Sequence, residues 1–80
     1  MSKYEPLRTY LSERSEPLVR LSFEQIERIL GTSLPPSARR YRPWWANEHD
    51  GTHIHGRAWM SAGRQALNVD MNAETVDFVR

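Results

Sequence analysis

The sequence predicts an α+β fold, with three helices and a small three-stranded antiparallel sheet. Three observations carry this. A complete helix start and stop surrounds residues 23–30. The apolar residues at the N-terminal end recur at helical spacing, and those of the last sixteen residues alternate.

The elements follow in order. Pro6 suits a first helical turn, and Leu7, Tyr10 and Leu11 then share one face, so a first helix is expected over 5–14. Ser15-Glu16-Pro17 ends it. Leu18-Val19-Arg20-Leu21 reads as a short strand. Ser22 is an N-cap whose box is completed by Gln25, with Leu21 and Ile26 as the staple. Phe23, Ile26, Ile29 and Leu30 make one apolar face, and Gly31 supplies a left-handed stop, giving a second helix over 23–30.

Residues 33–47 hold Pro35, Pro36 and Pro43, which forbid a long helix. Pro36 can open one short turn and Pro43 another. Tyr41, Trp44 and Trp45 argue for an ordered loop with at least one Trp buried. Thr52 caps a third helix running to Ala62, with Ile54, Ala58 and Ala62 on one face and Trp59 near it. Gly56 weakens that helix by about 1 kcal/mol. Leu67, Val69 and Met71 alternate with polar or small residues in a half-buried strand over 65–71. A strand over 75–80, with Val76 and Phe78 on one face, completes a hairpin. The second helix is expected to pack on the first, on the third and on the sheet.

The resulting order is winged-helix-like: helix, strand, helix, long ordered loop, helix, hairpin. The departure is the connection of about twenty residues where a helix-turn-helix uses 3–4.

Eighty residues close one domain, 1–80. There is no cysteine, so no disulfide staples it, which fits a cytoplasmic location. No apolar run could cross a membrane, and the first residues lack the apolar stretch of a signal peptide.

The net charge of +1 is unevenly spread. Residues 1–32 are neutral. Residues 33–64 carry Arg39, Arg40, Arg42, Arg57 and Arg64 against Glu48 and Asp50. Residues 65–80 carry Arg80 against Asp70, Glu74 and Asp77. The basic middle also holds every His and Trp. Cations beside aromatics suit phosphates and bases, so DNA is the expected partner. The candidate contacts are Arg39, Arg40, Arg42, Asn47, His53, His55, Arg57 and Arg64. The competing reading makes the Trp residues core and the Arg residues solvated, and Asn47 and Thr52 turn or cap residues.

His49, His53 and His55 lie beside Glu48 and Asp50, yet their spacing does not converge on one helix face, and no metal site is assigned. No catalytic motif is present, so no enzyme activity, cofactor or small-molecule substrate is expected. The alternative function is a protein-interaction or dimerisation domain, with Trp44, Trp45 and the hairpin edge meeting a partner. A homodimer is compatible with either.

Leu34-Pro35-Pro36-Ser37-Ala38-Arg39, Trp44-Trp45-Ala46-Asn47, and Ala58-Trp59 with Ala62-Gly63 resemble a family of small bacterial and phage domains of unknown function. Tyr4-Glu5-Pro6-Leu7 and Phe23-Glu24-Gln25-Ile26-Glu27 share the likeness. The family resembles domains attached to GIY-YIG-type nuclease modules, which implies a DNA setting by association. The chain departs from the expected Ser-His-x-Gln-Ala phrase, with Thr52-His53-Ile54-His55-Gly56-Arg57-Ala58 in its place.

Overall fold

A computed structural model describes residues 3–48 and 55–80. The elements are α1 (Glu5–Ser12), β1 (Leu18–Ser22), α2 (Phe23–Leu30), α3 (Pro36–Arg40), a 3-10 turn (Arg42–Trp45), α4 (Gly56–Met60), β2 (Gln65–Asp70) and β3 (Thr75–Val79).

In α1 the pair Leu7 and Leu11 is fully buried, one helical turn apart. The helix stops at Ser12 rather than Arg14: Arg14 N bonds back only three residues, to the Leu11 carbonyl, and the Arg14 carbonyl accepts from Arg64 Nη2 at 3.0 Å. The start of α2 has both halves of its capping box. Gln25 N donates to Ser22 Oγ at 3.0 Å, and Ser22 N donates to Gln25 Oε1 at 2.8 Å. Gly31 closes the helix at φ 76°, a backbone region costly for any residue with a Cβ.

The sheet order is β1-β3-β2, antiparallel throughout. Its inner face carries Val19, Leu21, Ala66, Val76 and Phe78, all buried. Its outer face carries the row Arg20–Asp77–Leu67 and the neighbours Leu18 and Val79.

The expected facing of β2 is corrected. Ala66, not Leu67, points into the core, where Trp59 and Phe78 already fill the volume, and Leu67 is 41% exposed. Asn68, at φ 53°, then enters a bulge in which Asn68 and Val69 oppose the single residue Val76. The extra residue returns Val69 and Met71 to partial contact with the core.

The long connection is folded. Pro36 opens α3 and Pro43 lies in the 3-10 turn, so there are four described helices besides that turn rather than three in all. Trp44 and Trp45 are both buried. Phe23 stacks on Trp45 with centroids 4.8 Å apart, Trp45 on Trp59 at 5.8 Å, and Trp59 meets Phe78 at 5.5 Å. These four rings run through the core from α2 to the sheet. They also explain why α4 packs chiefly on α1 rather than α2: the Trp45 indole stands between α2 and α4.

Only the C-terminal part of the expected third helix is described, and its Thr52 cap lies outside the described residues. Gly56 has a positional reason. A Cβ there would lie 3.3 Å from the Ala46 carbonyl oxygen, a tight contact that a side chain could make only by pushing the two backbones a few tenths of an ångström apart. Among the described residues no helix is long and apolar enough to cross a membrane.

Candidate nucleic-acid interface

The expected contact residues divide by what already holds them. Arg39 is tied into the fold. Its Nη1 and Nη2 donate to the two carboxylate oxygens of Glu27 at 2.8 and 3.1 Å, and its Nε donates to Glu74 at 3.1 Å. Leu34 N also donates to Glu27, at 2.7 Å. The Arg39 hydrogen bonds, followed by that of Leu34, hold the Glu27 carboxyl below its ordinary range. Arg39 therefore fastens α3 to α2 and to the hairpin turn.

Asn47 is committed as well. Its Oδ1 accepts from Trp59 Nε1 and from Ala66 N, each at 2.8 Å, and its Nδ2 donates to the Ala66 carbonyl at 3.0 Å. Both lone pairs of Oδ1 are taken, so the acceptor that adenine reading needs beside the Nδ2 donor is not open. His55 is buried, with its ring stacked 3.9 Å from the Trp44 ring at an interplanar angle of 3°. Its Nε2 donates to the Trp44 carbonyl at 2.6 Å. Arg64 is 2% exposed and bonds to backbone carbonyls. These four side chains serve the interior or its seams rather than an open face.

His49 and His53 lie outside the described residues. Among the described residues no group of three His, Asp or Glu could hold a metal ion.

Arg40, Arg42 and Arg57 are exposed. Arg40 and Arg57 have no side-chain hydrogen bond or ion pair among the described residues. Arg42 donates to the Val69 carbonyl and has no carboxylate partner among the described residues. Tyr41, between Arg40 and Arg42, is 58% exposed. Its exposure follows from the local backbone. Ala38 and Trp45 turn inward, linked by Trp45 Nε1 donating to the Ala38 carbonyl at 2.8 Å. The junction between α3 and the 3-10 turn, extended at Tyr41 (φ −129°, ψ 99°), bows outward.

Beside this junction runs a groove of about 400 Å3 between the 3-10 turn and β2, with Arg42, Pro43, Leu67 and Asn68 in its walls. The combination is one exposed aromatic ring, an arginine on either side of it in the chain, and an adjoining apolar channel.

The hairpin that would form a wing is acidic at its tip. Asp70 Oδ1 accepts from Asn72 N and Ala73 N at 2.9 and 2.8 Å, and Glu74 stands at the start of β3. It adds no positive charge to the junction. The sequence grouped Tyr41 with its Arg neighbours but did not single it out. The signal was that Tyr41, alone among the three aromatics of the loop, has charged residues on both sides.

No curated protein and no solved structure matches the chain. A family model does match, over residues 4–80. The match spans both the folded connection and the hairpin, and the chain belongs to the family described as Domain of unknown function (DUF7662).

Proposed function

We propose that this domain binds nucleic acid through the Arg40-Tyr41-Arg42 junction, with Arg57 as a further phosphate contact. The observation that carries the reading is Tyr41, largely exposed between two arginines that no carboxylate among the described residues neutralises. Base stacking on an aromatic is sequence-tolerant, and flanking guanidinium groups follow the backbone. The winged-helix-like strand order and the resemblance to nuclease-attached domains favour DNA. The acidic hairpin tip disfavours a wing laid on a duplex, so a single strand, or an unpaired stretch of DNA, fits better.

Fluorescence anisotropy with labelled single- and double-stranded oligonucleotides across a salt series tests this. Tyr41→Ala should weaken single-strand binding by about 1–3 kcal/mol while leaving the salt slope intact. Absence of salt-sensitive binding to either oligonucleotide at low ionic strength would sink the proposal.

A second reading is a protein-interaction or dimer surface. It is favoured by the outer sheet face, where Leu18 is 46% exposed and lies beside Val79, with Leu67 further along. A concentration-dependent mass in light scattering, abolished by Leu18→Lys, would support it.

A further inference from the structure

We propose that Arg64 and Arg80 form a binding site for a phosphate-type oxyanion, separate from the Arg40-Tyr41-Arg42 junction. Arg64 is buried without a carboxylate partner among the described residues. A guanidinium has five N–H donors. Arg64 Nη1 donates to the carbonyls of Pro17 and Phe78 at 3.2 and 3.3 Å, and Nη2 donates to that of Arg14 at 3.0 Å. This leaves Nε–H and one Nη2–H. Nε is the one buried side-chain nitrogen or oxygen without a partner among the described residues.

The same chain shows what this edge of a guanidinium can hold. Arg20 uses its Nε and Nη2 to grip the two oxygens of Asp77, at 2.6 and 3.0 Å. On Arg64 the Nε–H of the equivalent edge has no partner among the described residues.

A recess of about 390 Å3 lies beside this buried side chain, lined by Arg64 with Met60, Gly63, Gln65, Val79 and Arg80. Arg80 is exposed, and among the described residues its side chain is held by carbonyl oxygens of Ser15 and Arg14. No carboxylate among the described residues pairs with its guanidinium, which can turn onto an anion in the recess. Burial, and then the charge of Arg80, lowers the proton affinity of Arg64, while Glu16 opposes this from beyond ion-pair distance. Two mutually repelling cations beside a recess are relieved by a ligand of negative charge. Phosphate suits them because guanidinium pairs with its oxygens bidentately.

The source is either free phosphate or the phosphate of a nucleic acid strand, and the test separates them. Arginine Nε–H resonances are followed by NMR in the 15N-labelled protein. Sodium phosphate, a short single-stranded oligonucleotide, and sodium chloride at matched ionic strength are added in turn. The Arg64 Nε–H should shift saturably with phosphate, with the oligonucleotide, or with both, and not with chloride. Arg80→Gln, at an exposed position, should weaken that binding about tenfold, the effect of losing one charge-assisted contact. A shift with phosphate alone assigns the site to the free ion, and a tighter shift with the oligonucleotide assigns it to a strand. No saturable shift, an equal shift with chloride, or an unaltered affinity in Arg80→Gln overturns the proposal. Tyr41→Ala leaves inorganic phosphate binding at Arg64 unchanged, so failure of this site and failure of the stacking junction are read apart.

Discussion

Replacing Asn47 by Ala is the sharpest test of how the folded connection is held. The side chain makes three hydrogen bonds, to Trp59 Nε1, Ala66 N and the Ala66 carbonyl. Trp59 is wholly buried, so its indole N–H would be stranded away from water, at a cost of about 1–3 kcal/mol. Asn47 itself is only half-buried, so water entering its place can recover part of the two bonds to Ala66. The loss is therefore about 2–4 kcal/mol in total. A domain of this length has roughly 4–12 kcal/mol to lose. Urea titration followed by tryptophan fluorescence should show a lower midpoint with an unchanged slope. A thermal scan should show Tm lowered by roughly 10–30 °C. Asn47→Asp provides a control. It keeps the acceptor for both donors but sets a second oxygen against the Ala66 carbonyl, so it too should destabilise. A stability change below about 0.5 kcal/mol in Asn47→Ala, the level of an ordinary surface substitution, refutes the reasoning.

Two further outcomes are expected. Arg20 hydrogen bonds hold the Asp77 carboxyl below its ordinary range, and those of Arg39 do the same for Glu27. A carboxyl depressed in the folded state contributes stability above its unfolded pKa, near about 4. That contribution is lost as pH falls through the folded values, so urea midpoints should drop steeply on acidification. Asp77→Asn should flatten part of that dependence, and identical pH profiles for the two proteins would contradict the linkage. Arg39→Ala should lower stability by about 1 kcal/mol and leave the salt slope of oligonucleotide binding unaltered. Arg40→Ala should leave stability unchanged and reduce that slope by about 1. The reverse pattern would show that the two side chains have been assigned the wrong way round.

Elements whose signals are local were legible. Ser22, Gln25 and Gly31 specify α2 within ten residues of chain, and Pro36 and Pro43 mark the two short turns of the connection. The facing of β2 was not legible, since Leu67, Val69 and Met71 alternate like an inward row. The bulge at Asn68 depends on a left-handed residue and on the volume already taken by Trp59 and Phe78. The polar candidates were obscured for a related reason. Asn47 pairs with residues 12 and 19 positions away, and Arg64 with carbonyls 47 and 50 positions away. No pattern within a few residues distinguishes such a side chain from a free one. Arg40 and Arg42 remained readable because their exposure follows from a short, proline-bounded turn.

The bonds between Asn47 and Ala66 also bear on how the protein behaves at high concentration. In an antiparallel ladder, the N–H and C=O of one residue point the same way. Because Asn47 takes both groups of Ala66, they face away from β3, along the rim where another strand could add. The carboxamide thus occupies the place of a fourth strand's peptide group, and the Asn68 bulge interrupts β2 two residues further on. A bare rim would be a template for a second molecule. One amide side chain and one misaligned residue suffice to make β2 a poor template for a strand of a second molecule.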